Sequence, residues 1–551
     1  MGKYLNPGND AFCQAANDDI YVDKTMLIAC MNKKIDKESS KYVCVNRPRR
    51  FGKSMAANML AAYYSRGCDS EDIFAKYKIS TEDSFRKYLN KYDVIHIDVQ
   101  WCRGNVPHAL ETVSFIQEAV IDELRAEYPG IFDDKARNLS DALASIHNAT
   151  GRKFIVIVDE GDAIIRDEAE DEAAQRVYID FLRSMFKGNL PSGYLSLVYM
   201  TGILPIKKVK TQSALNNFDE FSMLDAGELA PYVGFTEEEV KELCRVYHRD
   251  FNDVKRWYDG YLLEGKLHIY NPRAVVSSII RGKLKSYWSM TGTYEAIVPF
   301  INMDFDGLKT DIIKILSGES VNINTKSYQN DMVRFRNKDD ILTLLIHLGY
   351  LAYDENKHRA FIPNEEIRSE FVEATDENQW NELMELQRKS EELLRATLDM
   401  DSDIVAGMIE EAHSKYTSII EYNDENALSC VISMAYYGTL KYYYLPVREL
   451  PTGRGFADLV FLPKRECPEK PALLIELKWD KTAEAAIQQI KERKYTEALE
   501  TYKGDILLVG VNYSKKRAKH ECVIERKSYE RTCRPRKTIG QDNMSKDVND
   551  I

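Results

Sequence analysis

The sequence predicts an α/β protein of several domains: a parallel sheet flanked by helices near the N-terminus, a helical middle, and a second α/β domain at the C-terminal end. Three observations carry this prediction. At 551 residues the chain is too long for one hydrophobic core. Residues 42–54, YVCVNRPRRFGKS, run from an apolar alternating stretch into a basic loop that closes on Gly52-Lys53-Ser54, and the helix former MAANMLAAYY follows. From residue 442 the chain turns β-rich, with the apolar runs FADLVFL and ALLIEL.

Composition sets the outer limits. Apolar residues at 44% and charged residues at 29% are ordinary for a soluble globular protein. The opening MGKYLNPGNDAFCQ lacks the apolar core of a signal peptide, and apolar windows such as 341–353 are short and carry His347. A cytoplasmic protein with no membrane partner is therefore expected. Ten cysteines stand singly, without C-x-x-C pairs, which favours reduced thiols over disulfides or zinc. A formal net charge of −12 argues against a general nucleic-acid coat and leaves room for a local basic track.

Strand, basic loop and helix in that order suit a phosphate-cradling loop. Backbone N–H groups and the positive end of the helix face the phosphates, Lys53 reaches the terminal phosphates, and the Ser54 hydroxyl holds Mg²⁺. The pattern G-x-x-x-x-G-K-[ST] asks for glycine at position 47, where this chain has Arg47. Alone, Gly-Lys-Ser in a basic loop also reads as a turn. Upstream, YVDKTMLIACMNKK (21–34) reads as an amphipathic helix. Downstream, residues 92–100 (YDVIHIDVQ) predict a second core strand, and a helix over 107–128 closes at Pro129-Gly130. Residues 153–165, KFIVIVDEGDAII, place five apolar residues before Asp159-Glu160, at the strand end where open α/β sheets hold their ligands. Asp159 there can bind Mg²⁺ and Glu160 can polarise an attacking water, although two solvated acids would look the same. LSLVYMT (195–201) predicts another buried strand, ending at Thr201 where a γ-phosphate sensor would stand.

Together YVDKT, NRPRRFGKS, VDEGD, MTGILPIKK, SALNNFDEF, YVGFTEEEV and WYDGY resemble the AAA-ATPase-like domain of a large prokaryotic family, over roughly residues 4–290. In that family RPRRFGK[ST] is the usual form of the loop, so Arg47 is a family mark. The resemblance implies a P-loop ATPase sheet in which Lys53 and Ser54 bind phosphate and Mg²⁺, Asp159 is the metal aspartate and Glu160 the water-activating base. Arg49, Arg50, Phe51 and Gly52 complete the loop. Arg47, Arg49 and Arg50 are each open to a phosphate-clamping role or to a solvated or packing one. Gly161 and Pro205 depart from the family's usual aromatic and arginine.

In the middle of the chain, FTEEEVKELCRVY carries a capping box, Thr236 with Glu239, and the aromatics of Trp257-Tyr258-Asp259-Gly260-Tyr261 suit core packing or base stacking. Residues 339–371 read helix, strand, turn, strand, helix, a winged-helix pattern whose helices lack a basic face. Residues 378–422 read as a charged helical connector.

Alternation along the strand points Glu476 and Lys478 to one face, and a hairpin with Asp458 on that face would converge two carboxylates and a lysine. Such a set can hold Mg²⁺ and orient a water for attack on phosphate. The order of a helix, a strand with Asp458, a strand with Glu476 and Lys478, the helix AAIQQIKERKYTEALE and the strand DILLVGV resembles the PD-(D/E)XK nuclease superfamily over about residues 420–527. That implies a restriction-endonuclease-like domain with Asp458, Glu476 and Lys478 as catalytic core, Asp458 and Glu476 as metal ligands, and Gln489 and Tyr495 in its Gln…Tyr helix motif. Glu425 is the candidate early-helix glutamate, with Glu421 as runner-up; Gln488 can take the place of Gln489, and Ala457 replaces the proline of the motif name. From Lys491 to Lys537 there are fourteen Lys/Arg against seven Asp/Glu. The knot Lys515-Lys516-Arg517 with Lys519 suits sequence-blind phosphate binding or a solvated face beside a polar tail.

The expected domains are 1–230 (ATPase), 231–300 (lid or extension), 301–419 (helical and winged-helix-like), 420–527 (nuclease-like) and 528–551 (tail). The leading expectation is an ATP-binding ATPase coupled to a Mg²⁺-dependent nuclease acting on nucleic acid, chiefly DNA, with Mn²⁺ as an alternative ion and a homo-oligomer compatible. The rivals are a nucleotide-dependent switch that binds nucleic acid or protein without cutting, and an ATPase whose C-terminal domain assembles oligomers.

Overall fold

The computed structural model describes residues 2–131, 138–206, 215–288, 305–328, 335–377, 381–416, 425–444, 446–452, 455–464, 467–493, 495, 502 and 504–528. They fall into two compact units, Met1–Met384 and Glu385–Ile551.

In the first unit β1 (Tyr42–Asn46), β2 (Asp93–Asp98), β3 (Phe154–Asp159), β4 (Leu195–Gly202) and β5 (Asp219–Phe221) form a parallel sheet in the order β2-β3-β4-β1-β5. Every residue of β1, β3 and β4 is buried, which is why these strands read as unbroken apolar runs. One core joins Cys44, Val156 and Val198 to Val120, Leu143 and Phe181 from helices Thr112–Glu127, Leu139–Thr150 and Glu172–Phe186. The helix that follows the basic loop, Lys53–Tyr64, packs on β2, β3 and β4. Because all five strands are parallel, the loop after β1 and the carboxyl ends of β3 and β4 share one edge of the sheet. The register pairs Val45 with Thr201 and Val158 with Met200, so β4 brings Thr201 between the loop and Asp159.

One expectation needs correction. The helix expected over 21–34 begins only at Met26 and ends at Asn32. Asp23 takes the N–H and hydroxyl of Thr25 at 2.8 and 2.7 Å, which holds the stretch before Met26 out of the helix. In addition, β5 is a sheet strand that the polar run Asp219–Phe221 did not announce.

A smaller antiparallel sheet follows, β6 (Phe235–Thr236), β7 (Tyr261–Leu263) and β8 (Leu267–Tyr270), with helices Glu237–Val246, Phe251–Tyr258 and Pro272–Arg281. The capping box forms: the Glu239 N–H donates to the Thr236 hydroxyl at 3.4 Å and the Thr236 N–H to the Glu239 carboxylate at 2.8 Å. Tyr258 and Tyr261 are core residues whose hydroxyls donate to the carbonyls of Lys285 (2.9 Å) and Gly349 (2.6 Å). Farther on, helix Lys338–Leu348, β10 (Ala352–Asp354), β11 (Arg359–Phe361) and helix Glu365–Glu377 follow the winged-helix order, and β9 (Val321–Asn322) joins β11. Residues 340–350 are buried without a break, so helix Lys338–Leu348 has no free face to lay in a DNA groove.

In the second unit β12 (Val447–Thr452), β13 (Gly455–Phe461), β14 (Ala472–Trp479), β15 (Ile506–Ser514) and β16 (Lys519–Lys527) form one sheet in that order, antiparallel except for the parallel pair β14–β15. Helices Ser402–Tyr416 and Glu425–Ala435 cover one face, where Val405, Ile409 and Ile432 meet Leu473, Ile475, Leu477 and Val509. Helix Ala483–Glu492 covers the other, with Ile487 and Ile490 against Leu474 and Leu508. Thr482 caps that helix by accepting the Ala485 N–H at 3.1 Å.

Helix Ala483–Glu492 lies close on β15 because residue 510 is glycine. A Cβ there would stand 2.5 Å from the Ala483 carbonyl oxygen and 3.0 Å from Ile487. Since backbone cannot yield as a side chain end can, Gly510→Val is expected to lift the helix and cost about 1–3 kcal/mol of stability, read by chemical denaturation.

Candidate functional site

Two polar constellations sit on these scaffolds. In the first unit the loop after β1 turns through two left-handed residues, Arg50 (φ 69°) and Gly52 (φ 91°). A Cβ at Gly52 would meet nothing within 4 Å, so its backbone faces open space, in front of a cavity of about 740 Å³. Arg49, Arg50, Phe51, Gly52, Lys53 and Ser54 all line that cavity, and so does Glu160. Apolar groups complete it, among them Ile20, Tyr21, Val22, Tyr232, Phe235 and Val276. Polar loop and apolar wall in one cavity suit a ligand that is part polyphosphate and part aromatic ring.

Lys53 is buried, donates to the Pro48 carbonyl at 3.0 Å and stands 3.8 Å from the Glu160 carboxylate. Burial pushes its ammonium pKa down, against the pull of Glu160, Asp162 and Asp159. The Thr201 hydroxyl donates to Asp159, and the Glu160 N–H reaches both Asp159 and Thr201 at 3.2 Å. Thr201 thus orients the aspartate expected to hold a metal. Glu160 adopts a left-handed backbone, φ 51°. Burial drives its carboxyl pKa up, and Lys53 and Arg166 oppose the rise while Asp162 and Asp159 add to it. Arg166 donates to Glu160 and Asp162 at 3.1 Å and to Asp167 at 2.8 Å, and buried Asp162 also accepts the N–H groups of Ile203 and Leu204. Sequence reasoning passed over Arg166; its signal was the i,i+4 spacing from Asp162.

Arg47 lies away from the cavity lining. It is wholly buried, donates to the carbonyls of Asn46 (3.0 Å) and Phe221 (3.2 Å), and burial pushes its guanidinium down to about 10. It bridges β1 and β5 from within. Arg50 is exposed and donates to the Tyr287 carbonyl. At Gly161 a Cβ would stand 2.8 Å from the Met200 side chain, so methionine fills the space beside it.

In the second unit β13 and β14 form the expected hairpin. Their ladder pairs Leu459 with Ile475 and Val460 with Leu474, and alternation puts Asp458 on the face of Val460 and Glu476 on that of Leu474, the same face of the sheet. The Leu477 N–H donates to Asp458 at 2.7 Å. Glu476 is 1% exposed, and Lys478, two residues along the same face, donates to it at 2.8 Å. Gln489 donates to Glu476 and, at 3.1 Å, to the buried Tyr495 hydroxyl. Gln488 instead points outward to Glu492 at 2.9 Å, so Gln489 is the residue that reaches the acid. Glu425 opens helix Glu425–Ala435; its side chain, and all of Glu421, lie outside the described residues. Oxygen donors such as Asp458 and Glu476 here, and Ser54 with Asp159 in the first unit, suit a hard divalent ion. Lys515, Lys516, Arg517 and Lys519 stand exposed where β15 turns into β16, and Arg517 pairs with Glu521 at 2.9 Å.

Two family models match: residues 9–211 match a predicted AAA-ATPase domain, and residues 423–530 match the PD-(D/E)XK nuclease superfamily. The chain joins an AAA-ATPase-like domain to a PD-(D/E)XK superfamily domain. It is 24% identical over 305 residues to an uncharacterized protein in the vnfD 5′ region of Azotobacter chroococcum mcd 1, spanning 54% of this chain and 56% of that relative's length. Among solved structures, the ORC2 protein of Aeropyrum pernix in ADPNP–ADP complexes aligns with a TM-score of 0.30 and 12% identity, covering 65% of this chain and 97% of the other. Among the described residues no helix is long and apolar enough to cross a membrane, and the described cysteines are free thiols.

Arg47→Met separates packing from phosphate contact. With the guanidinium off the cavity, ATP affinity by equilibrium dialysis should stay within about twofold, and stability should hold or rise, as when buried charges elsewhere are replaced by apolar groups of like volume. A tenfold loss of affinity would return Arg47 to the phosphates.

Proposed function

We propose that this protein is an ATP-binding P-loop ATPase coupled to a Mg²⁺-dependent nuclease that hydrolyses phosphodiester bonds in DNA. The observation that carries the nuclease half is the meeting of Asp458, Glu476 and Lys478 on one sheet face, with Gln489 aimed at Glu476. A buried carboxylate with a lysine on a strand otherwise weakens a sheet that apolar residues would fill. Asp458 and Glu476 would hold the divalent ion, and Mn²⁺ fits the same donors. When bound, the ion supplies Lewis acidity at the phosphate and a more acidic water. Lys478 would orient an attacking water or meet the charge growing on the phosphate oxygens, and Gln489 would keep the Glu476 carboxylate turned to its task. In the ATPase half Lys53 takes the phosphate charge, Ser54 and Asp159 hold the ion, Thr201 fixes Asp159, and Glu160 accepts a proton from the attacking water while Arg166 positions it.

The mutations are not equivalent. Removing Lys478 strands a buried Glu476 and costs about 3–5 kcal/mol of stability as well as function. Asp458 is only half-buried, and Asp458→Asn keeps an acceptor for the Leu477 N–H, so it is the cleaner variant. Purified protein with Mg²⁺ or Mn²⁺ should cut DNA, and Asp458→Asn should lower the rate at least about 100-fold, roughly 2.7 kcal/mol. The absence of cleavage of single- and double-stranded DNA, with and without ATP, would leave the binding switch as the reading. Lys53→Ala should abolish ATP turnover and leave Mg²⁺-dependent cleavage without ATP intact.

A second expectation concerns pH. Glu160 must be ionised to accept a proton, and burial raises its pKa. ATP turnover should therefore appear as pH rises through a value above the ordinary glutamate range. Arg166→Gln removes a positive charge that favours the ionised form, so the acid limb of the kcat–pH profile should move to still higher pH. An acid limb left in place would detach Glu160 from the chemistry.

A further inference from the structure

The face of the C-terminal sheet turned away from Glu476 and Lys478 holds a second cluster that neither proposed reaction uses. Alternation along β14 and β15 sends Trp479 and Tyr513 to the side covered by helix Ser402–Tyr416. The β15–β16 register sets His520 opposite Tyr513, and the helix brings Glu410 and His413, three residues apart on one helical face, to the same place. His520 Nδ1 lies 2.5 Å from Glu410 Oε2, and the His520 N–H donates to that oxygen at 3.0 Å. The imidazoles of His413 and His520 stand 5.0 Å apart and nearly perpendicular, at 87°. Both are buried, at 7% and 1% exposure. One ligand atom from each of Glu410, His413 and His520 lies within 4.8 Å of the other two.

We propose that Glu410, His413 and His520 form a binding site for one divalent transition-metal ion of the zinc type, distinct from the Asp458–Glu476 pair, that ties helix Ser402–Tyr416 to β16. Two imidazoles and a carboxylate are a nitrogen-rich donor set, which favours Zn²⁺, Co²⁺ or Ni²⁺ over Mg²⁺. Atoms bound about 2.0–2.2 Å from a tetrahedral ion lie roughly 3.3–3.6 Å apart, so modest side-chain rotations suffice. A second group of similar make-up, Glu237, Asp259 and His268, lacks this character. There Lys255 already pairs with Glu237 at 2.5 Å and with Asp259 at 3.7 Å, and Lys241 with Glu237 at 2.5 Å, so an ion would displace standing positive charge. Here Glu410 meets the ring of His520 by a hydrogen bond instead. The plain alternative is a His–Glu clamp that works through hydrogen bonds alone.

The test uses the full chain as Asp458→Asn, stripped with chelator and held in excess Mg²⁺ so that the oxygen-ligand sites do not compete. Titration with Zn²⁺ should show one tight equivalent per chain by equilibrium dialysis and a rise in thermal midpoint. Adding His413→Asn or Glu410→Gln should remove that equivalent, with circular dichroism confirming the fold. Cu²⁺ bound in place of Zn²⁺ should give an EPR spectrum with couplings from two imidazole nitrogens, a readout that needs no further variant. Less than half an equivalent of Zn²⁺, binding unchanged by both variants, or Cu²⁺ coupled to fewer than two imidazoles would each overturn the proposal and leave the hydrogen-bonded clamp.

Discussion

Glu476 is the point on which the C-terminal unit turns. A carboxylate buried at 1% exposure and left without its partner costs about 3–5 kcal/mol, a large share of a domain's net stability. Lys478 answers it because the period of a strand is two, so residues 476 and 478 must share a face. Gln489 answers it from a helix that comes near enough only because β15 carries glycine at position 510. Stability and chemistry are therefore written in the same few residues. The contacts that would position the acid for the proposed metal also keep the sheet from rejecting it.

The N-terminal unit meets the same constraint by spreading it. Lys53, Glu160, Arg166 and Asp162 form a chain of alternating charge, each link between 3.1 and 3.8 Å. Asp162 in turn is anchored by the backbone N–H groups of Ile203 and Leu204 just past β4. The left-handed backbone at Glu160 costs about 1–3 kcal/mol and persists because its neighbours over-determine it. Gly161 N–H donates to the Thr201 carbonyl at 2.7 Å, and Glu160 N–H is held by Asp159 and Thr201. Strain at one residue aims its carboxylate at the cavity that Lys53 and Ser54 line.

Much of this was legible before the fold was known. Strands buried on both faces write themselves as apolar runs, so β1, β3, β4, β13, β14 and β15 stood out, and the acids at their ends drew attention. The E-x-K spacing foretold a shared face. What stayed hidden depends on tertiary contact. Asp219–Phe221 is polar and short, and becomes a strand only because β1 offers an edge. Tyr21, Tyr232 and Phe235 line the cavity from segments far apart in sequence, with no local pattern to join them. His520 and Glu410 are 110 residues apart, and counting cysteines and histidines cannot see such a pair. The choice between Gln488 and Gln489 turned on helix phase, which a shift of one residue reverses.

Arg47 shows what kind of phosphate loop this is. Glycine at that position would leave the entry to the loop permissive. Arginine, buried between β1 and β5 and bonded to the carbonyls of Asn46 and Phe221, makes the entry part of the core instead. Pro48 follows it, with its own φ fixed by the ring, and gives its carbonyl to Lys53. A loop pinned at this end has little room to rearrange around a ligand. What can move is the lysine side chain, which trades a bond to a neutral carbonyl for one to an anionic phosphate, where both partners are charged. In the proposed reading, polyphosphate binding would release Lys53 from Pro48 and from Glu160, and so free the carboxylate proposed to accept a proton from water.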